Sequence, residues 1–189
     1  MTKSLFGGFL LILAAAPAQV QAQPPAAPVP GPTIAAPPSN EEVRWPRPPR
    51  ARGIPTALAA EAALEAISVC KADGYKVNAL VTDSGGVPIA LLSGEGAAAI
   101  TQRIAMSKAQ SVIKYHMTSG EVTARAAADA TLMAQLLADP MIGTPRQGAI
   151  PVMIGTDLAG AIAVSGAPSG DKDEPCALAA LNKIKNRLN

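Results

Sequence analysis

The side chains best suited to chemistry in this 189-residue chain are a single histidine, His116, and two cysteines, Cys70 and Cys176. One imidazole and two thiols cannot close a four-ligand zinc site without further ligands. In an oxidising compartment a pair of cysteines more often forms a disulfide than a metal site. The sequence leaves two alternatives open, a Cys70–Cys176 disulfide or two buried thiols on separate helices.

An acidic corner near the end of the chain is a second candidate. In the segment 161–181, AIAVSGAPSGDKDEPCALAAL, an apolar run and a small-residue loop precede Asp171, Asp173 and Glu174. Carboxylates in the first turn of a helix offset its dipole and compete with an external anion, which argues against a phosphate cradle. We expect a capped helix, with Asp171 as the cap and Glu174 completing a capping box.

The sequence contains no strong pattern of catalytic residues. A hydrolase needs a nucleophile next to a positioned base, and no spacing links Ser84 or Ser165 to His116. Asp83 and Asp157 are most simply turn residues that bond local amides. The sequence has no P-loop, dinucleotide fingerprint, H-E-x-x-H or C-x-x-C motif, so a non-catalytic role is favoured over an enzyme.

Composition argues against nucleic acid as a partner. The formal net charge is only +2, and the chain has one Trp, two Tyr and two Phe. Binding to nucleic acid relies on basic surfaces and on aromatic side chains that stack with bases.

The N-terminus has the pattern of an export signal. Lys3 precedes an apolar run over 5–16 that is too short to span a bilayer, and Ala22 ends a small-residue cleavage site. We predict a signal peptide over 1–22, a periplasmic or secreted location, and no membrane span in the mature chain. Residues 23–55 are rich in Pro and Ala and predict a flexible, partly polyproline linker.

The remaining residues, 56–189, predict one domain that positions the candidate groups. Apolar periodicity and turn signals place its helices at 57–73, within 97–116, from 118 to about 137, and at 171–188, and its strands at 76–82, 87–93, 150–154 and 159–165. A short edge strand between Met141 and Ala149 is a further possibility. Thr118 and Glu121 have the spacing of a capping box. Strands joined by turns imply an antiparallel sheet covered by helices, an α+β fold.

Three stretches resemble the family of haem-binding HbpS, GlcG and PduO C-terminal-like proteins. ALVTDSGGVPIALL (79–92) resembles its V-D-x-x-G-x-x-x-A hairpin, SKA (107–109) its second-helix K-A motif, and the segment 150–181 its G-x-I-G-V-S-G-x-x-x-x-x-D-x-x-C-A ending. Two departures stand out. Ala163 replaces a common Gly, and YHMTS (115–119) replaces F-G-x-P-[ST].

The resemblance implies a profilin-like α+β domain with a five-stranded antiparallel sheet flanked by helices. It also implies a homo-oligomer that binds a small-molecule ligand, haem or a corrinoid in characterised members. Haem is therefore the cofactor that the resemblance suggests, and catalysis does not follow from it.

Four residues are candidates for binding such a ligand. His116 is the single histidine and lies at the end of the second predicted helix, so it is a candidate metal ligand for haem iron, or simply a favourable cation at a helix C-terminus. Thr118 and Ser119 match the family's [ST] position, although the helix cap alone explains Thr118. Lys108 matches the motif lysine and is expected either to contact a haem propionate or to lie as a solvated stem over apolar surface.

The scarcity of aromatic residues supports a different function, because haem pockets are usually lined by large apolar groups. The alternatives are an exported oligomeric scaffold whose Pro-rich arm docks a partner, and an uncharacterised enzyme of the same family. A retained ligand in the absence of the arm would distinguish the binding module from the scaffold.

Overall fold

The computed structural model describes residues 53–188, so the predicted signal peptide and most of the predicted linker lie outside the described residues. The helices are α1 (Thr56–Ala72), α2 (Ala99–Tyr115), α3 (Ser119–Ala128), α4 (Ala130–Ala138) and α5 (Gly170–Ile184), and the strands are β1 (Asn78–Thr82), β2 (Pro88–Ser93), β3 (Ala149–Ile154) and β4 (Asp157–Ser165). A 3-10 turn, Lys185–Arg187, follows α5. None of the described helices has the length and hydropathy needed to cross a membrane.

The four strands form one antiparallel sheet in the order β2-β1-β4-β3. The α+β class predicted from the turns is therefore confirmed. The fifth strand that the resemblance implies is not shown, because the sheet of the described residues has four strands. The segment between Met141 and Ala149 contains turns and bends instead of an edge strand. Backbone amides in that segment bond back to Asp139 instead of to a neighbouring strand.

Helices cover both faces of the sheet. Alternate residues of β1 point in opposite directions, so Val81 joins the apolar layer under α1 and α5 whereas Leu80 joins the layer under α2. The same alternation in β4 places Ile162 under α1 and α5 and Ala163 under α2. Ala163 is fully buried, so a methyl group is accommodated where the related motif commonly has glycine.

One predicted helix is two helices in the structure. The prediction ran from 118 to about 137, but α3 ends at Ala128 and α4 begins at Ala130. Asp129 is the reason, because its Oδ1 accepts hydrogen bonds from the amides of Thr131 (2.9 Å) and Leu132 (3.1 Å). This N-cap satisfies amides that a continuous helix would have bonded to its own carbonyls.

Gly160 allows β1 and β4 to approach closely. A Cβ atom built on Gly160 would lie 1.9 Å from the carbonyl oxygen of Thr82. Any larger residue would push the two central strands apart, which gives a physical reason for the first glycine of the G-x-I-x-V-S-G segment.

Candidate functional site

His116 ends helix α2 in an unusual conformation. Its φ is 55°, in the left-handed region, and its amide donates to the Val112 carbonyl at 2.8 Å. No other non-glycine residue between 53 and 188 has a positive φ. The side chain is exposed, so the imidazole is accessible to an external ligand.

Thr118 follows as the N-cap of α3. Its Oγ1 accepts a hydrogen bond from the Glu121 amide at 3.1 Å, and the Glu121 carboxylate accepts one from the Thr118 amide at 2.8 Å. The capping box predicted from the sequence is therefore confirmed. The hydroxyl oxygen of Thr118 is already engaged, although its proton is still available to donate.

Ser119 ties α3 to the sheet. The residue is buried, and its Oγ accepts a hydrogen bond from the Ala149 amide at the start of β3 at 2.9 Å. Without this bond, that amide would be buried without a partner. His116, Thr118 and Ser119 thus lie at one helix junction, but only His116 presents its side chain freely to solvent.

Lys108 lies elsewhere on α2 and faces inward. Its side chain is 2% exposed, and its Nζ donates to the Asp173 carboxylate at 2.6 Å and to the Val164 carbonyl at 2.8 Å. Burial lowers the pKa of Lys108 and raises the pKa of Asp173, and their mutual attraction opposes both shifts. Lys108 lies eight residues before His116, about 12 Å of helix rise away, and both hydrogen bonds of its ammonium are to protein groups.

The same ion pair explains the acidic corner, in a way the sequence did not predict. Helix α5 begins at Gly170, after Ser169 as N-cap, and no capping box forms through Asp171 and Glu174. Instead, Asp173 accepts a hydrogen bond from the Ala167 amide at 2.9 Å, so its carboxylate holds the loop and Lys108 at once. Glu174 Oε2 has no hydrogen-bond partner among the described residues.

The two cysteines are joined. A disulfide links Cys70 of α1 to Cys176 of α5, with the two Cα atoms 5.7 Å apart. This is the first of the two alternatives that the sequence left open. The bridge crosslinks the two helices that cover one face of the sheet, and so stabilises that layer rather than providing reactive thiols.

A cavity of about 430 Å³ lies beside the first half of α2 and was not predicted from the sequence. We call it the α2 cleft, and it is lined by Ile100, Arg103, Ile104, Met106, Ser107, residues 140–144 and Arg146. Its volume lies in the range of small-molecule sites. None of its lining residues is acidic, and two are arginines.

The loop wall of the α2 cleft is held in place at several points. Ser107 donates its hydroxyl proton to the Ile142 carbonyl, and the Asp139 carboxylate accepts from the Met141 amide at 2.9 Å. Lys114 donates to the same carboxylate at 2.7 Å. Together, these contacts tie the loop to α2, so the cleft is already formed without a ligand.

A more polar cavity of about 450 Å³ adjoins the cleft. It shares Ile104 and Arg146 with the α2 cleft, and its other charged lining residues are Lys108, Asp171 and Asp173. Neither of these two cavities is lined by His116, Thr118 or Ser119. The three predicted residues at the helix junction therefore lie outside the lining of both cavities, whereas the fourth predicted residue, Lys108, lines the more polar one.

The chain is similar to known proteins both in sequence and in fold. The family model described as "Haem degrading protein HbpS-like" matches residues 54–182. A double mutant of Streptomyces reticuli HbpS is similar, with 28% identity, a TM-score of 0.65, and coverage of 85% of this chain and 99% of that chain. No curated protein gives a significant match.

Two further solved structures share the fold. Klebsiella pneumoniae protein ORFY is 22% identical with a TM-score of 0.64, over 73% of this chain and 94% of its own. A structure described as a PduOC:heme complex is 16% identical with a TM-score of 0.64, over 70% of this chain and 95% of its own. At these identities, the likeness establishes the fold alone.

Proposed function

Because the chain belongs to the HbpS-like family of haem-degrading proteins, we propose that its domain binds a small ligand, and that this ligand is haem or a related tetrapyrrole. The family description supports haem as the ligand class. The haem complex of a protein with the same fold supports it further.

The observation that carries the proposal is the exposed imidazole of His116 at the junction of α2 and α3. The described residues contain no group of three His, Cys, Asp or Glu side chains arranged to hold a metal ion. Haem iron would need fewer protein ligands, because the porphyrin supplies most of its ligands and a single side chain such as His116 would be enough to hold it. The residue set therefore fits haem better than a bare metal ion.

In this proposal His116 would hold the haem iron through an imidazole nitrogen. The Thr118 hydroxyl proton is available to a ligand beside it, whereas Ser119 holds the β3 end of the junction in place. Lys108 contributes to the site by stabilising the fold around it, since both hydrogen-bond partners of its ammonium are protein groups. Bound haem would supply redox or oxygen chemistry that these side chains lack.

The remaining parts of the proposal concern the chain as a whole. Residues 1–22 act as a signal peptide and 23–55 as a flexible linker, so the domain works in the periplasm or outside the cell. It acts as a homo-oligomer and binds without catalysis. Degradation of the bound haem is the second candidate, because the family description names it.

The test is a haemin titration followed through the Soret band, comparing the wild type with His116→Asn. Asparagine tolerates the left-handed backbone but cannot replace imidazole as a ligand. We expect a saturable red shift in the wild type that is lost in His116→Asn and retained in the control Lys185→Gln. An identical shift and affinity in His116→Asn would reject the site.

The same titration separates the two candidate functions. A stable Soret band in the presence of ascorbate agrees with binding alone. Progressive loss of the band in the wild type, absent from His116→Asn, would assign degradation instead.

A further inference from the structure

The α2 cleft exposes apolar side chains that no described element covers. Ile100 on α2 is 60% exposed, Met141 in the loop after α4 is 55% exposed, and both line the cleft. Ile104 and Met106 complete an apolar floor on α2. A cleft of this kind favours a ligand with an apolar body, because each buried square ångström of apolar surface lowers the free energy of binding.

The charges at the cleft are of one sign. Arg103 on α2 and Arg146 on the facing loop both line it. Within residues 53–188, no ion pair joins either guanidinium to a carboxylate. Arg146 donates one hydrogen bond to the Thr144 carbonyl at 3.2 Å, and its other guanidinium N–H groups are available to a ligand. Two free guanidinium groups beside an apolar floor are suited to carboxylates.

The neighbouring polar cavity limits where such a carboxylate can lie. Asp171 and Asp173 line that cavity beyond Arg146. Lys108 also lines that cavity, but its ammonium is already bonded to Asp173. A ligand carboxylate there would therefore lie beside two carboxylates and a cation that is already paired, whereas beside Arg103 and Arg146 in the α2 cleft it meets only positive charge. The arrangement therefore has a direction, with the acidic end of the ligand at the arginines and its apolar body over Ile104 and Met106.

From this geometry we propose that the α2 cleft is a binding site for an amphipathic carboxylate, that is, a molecule with an apolar body and one or two carboxylate groups. Its lining includes none of the helix-junction residues His116, Thr118 and Ser119. It requires no metal ion. The proposal goes beyond haem coordination and holds whether or not His116 binds iron.

Binding to the α2 cleft is tested with two fluorescent probes, neither of which contains a metal ion. Metal-free protoporphyrin IX represents a tetrapyrrole acid, and dansyl-undecanoic acid represents a fatty acid. Each is titrated into the full chain, and their methyl esters are titrated alongside. The variant is the double substitution Arg103→Gln and Arg146→Gln, and its matched control is Arg125→Gln, an exposed arginine on α3 outside the cleft.

We expect saturable binding of at least one acid, weakened roughly tenfold or more in the double arginine variant, since charge-assisted hydrogen bonds are lost. Arg125→Gln and His116→Asn should bind the probe as the wild type does. Met141→Ser should also weaken binding, whereas Met153→Ser, at an exposed methionine of β3, should not. Binding of the porphyrin alone, or of the fatty acid alone, identifies the source of the carboxylate.

The proposal is overturned by any of three results. Neither acid saturates, or the esters bind as tightly as the acids, or the double arginine variant binds like Arg125→Gln. A Soret shift lost in His116→Asn together with any of these results would leave the haem proposal standing and remove only the cleft.

Discussion

The ammonium of Lys108 lies 2.6 Å from the carboxylate of Asp173, and the two side chains are 2% and 4% exposed. This ion pair connects α2 to α5 across the edge of the loop that follows β4, where the Ala167 amide also bonds Asp173. A buried pair of this kind is costly to break from one side, because the remaining charge has no partner and little water.

Lys108→Met should therefore destabilise the domain by about 3–5 kcal/mol. Lys114→Met is the matched control, since Lys114 also pairs with an aspartate but is 51% exposed, and its loss should be much smaller. The free energy of unfolding measured in urea checks both. Similar losses in the two variants would show that Lys108 is not a buried partner of Asp173.

Acid should weaken the wall of the α2 cleft through Asp139. The hydrogen bond from Lys114 lowers the pKa of Asp139 below its ordinary value of 3.8, with help from the Met141 amide. A depressed folded-state pKa contributes stability above the unfolded pKa, and that contribution is lost as the pH falls through the folded value. Between pH 5 and pH 2 the wild type should lose more stability than Asp139→Asn. Denaturation curves at several pH values measure the difference, and parallel profiles would contradict it.

Reducing the disulfide should have a large effect because the residues it joins are 106 positions apart. In the chain-entropy model, crosslinking a loop of about 100 residues lowers the conformational entropy of the unfolded chain, and this stabilises the folded state by roughly 4–5 kcal/mol. We expect the double variant Cys70→Ala and Cys176→Ala to lose about 3–5 kcal/mol in urea unfolding. Thiol titration of the denatured, unreduced protein should find no free thiol. Finding two would rule out the bridge.

Ser119→Ala should cost about 1–3 kcal/mol, because the buried Ala149 amide would lose its acceptor. Ser68→Ala, on the exposed side of α1, is the control and should be close to neutral. Thermal unfolding and hydrogen exchange at Ala149 report the change. If exchange at that amide stayed as slow as in the wild type, the hydroxyl would not be its partner.

The sequence predicted the elements well wherever local signals agreed. The helix predicted at 57–73 is Thr56–Ala72, and the strand predicted at 150–154 is Ala149–Ile154. Alternating apolar residues and glycine turns are local features that do not depend on distant contacts. The break at Asp129 was missed because an Asp inside an Ala-rich run also fits a continuous helix.

The α2 cleft and the Lys108–Asp173 ion pair were less predictable, because they depend on which helices and loops pack against each other in the folded domain. Arg103 and Arg146 are far apart in sequence, and only the folded loop brings them to one cleft. Lys108 and Asp173 each matched a family motif, but the sequence did not reveal that they bind each other. His116, by contrast, was identified from its uniqueness and its position at a helix end.

The most direct test of haem coordination uses the fact that the chain has a single histidine. In protein labelled with ¹⁵N-histidine, NMR detects the His116 imidazole alone. We expect one equivalent of haemin to remove its diamagnetic resonances or shift them by direct contact with the iron, while metal-free protoporphyrin IX leaves them in place. Resonances unchanged at saturating haemin would contradict coordination by His116.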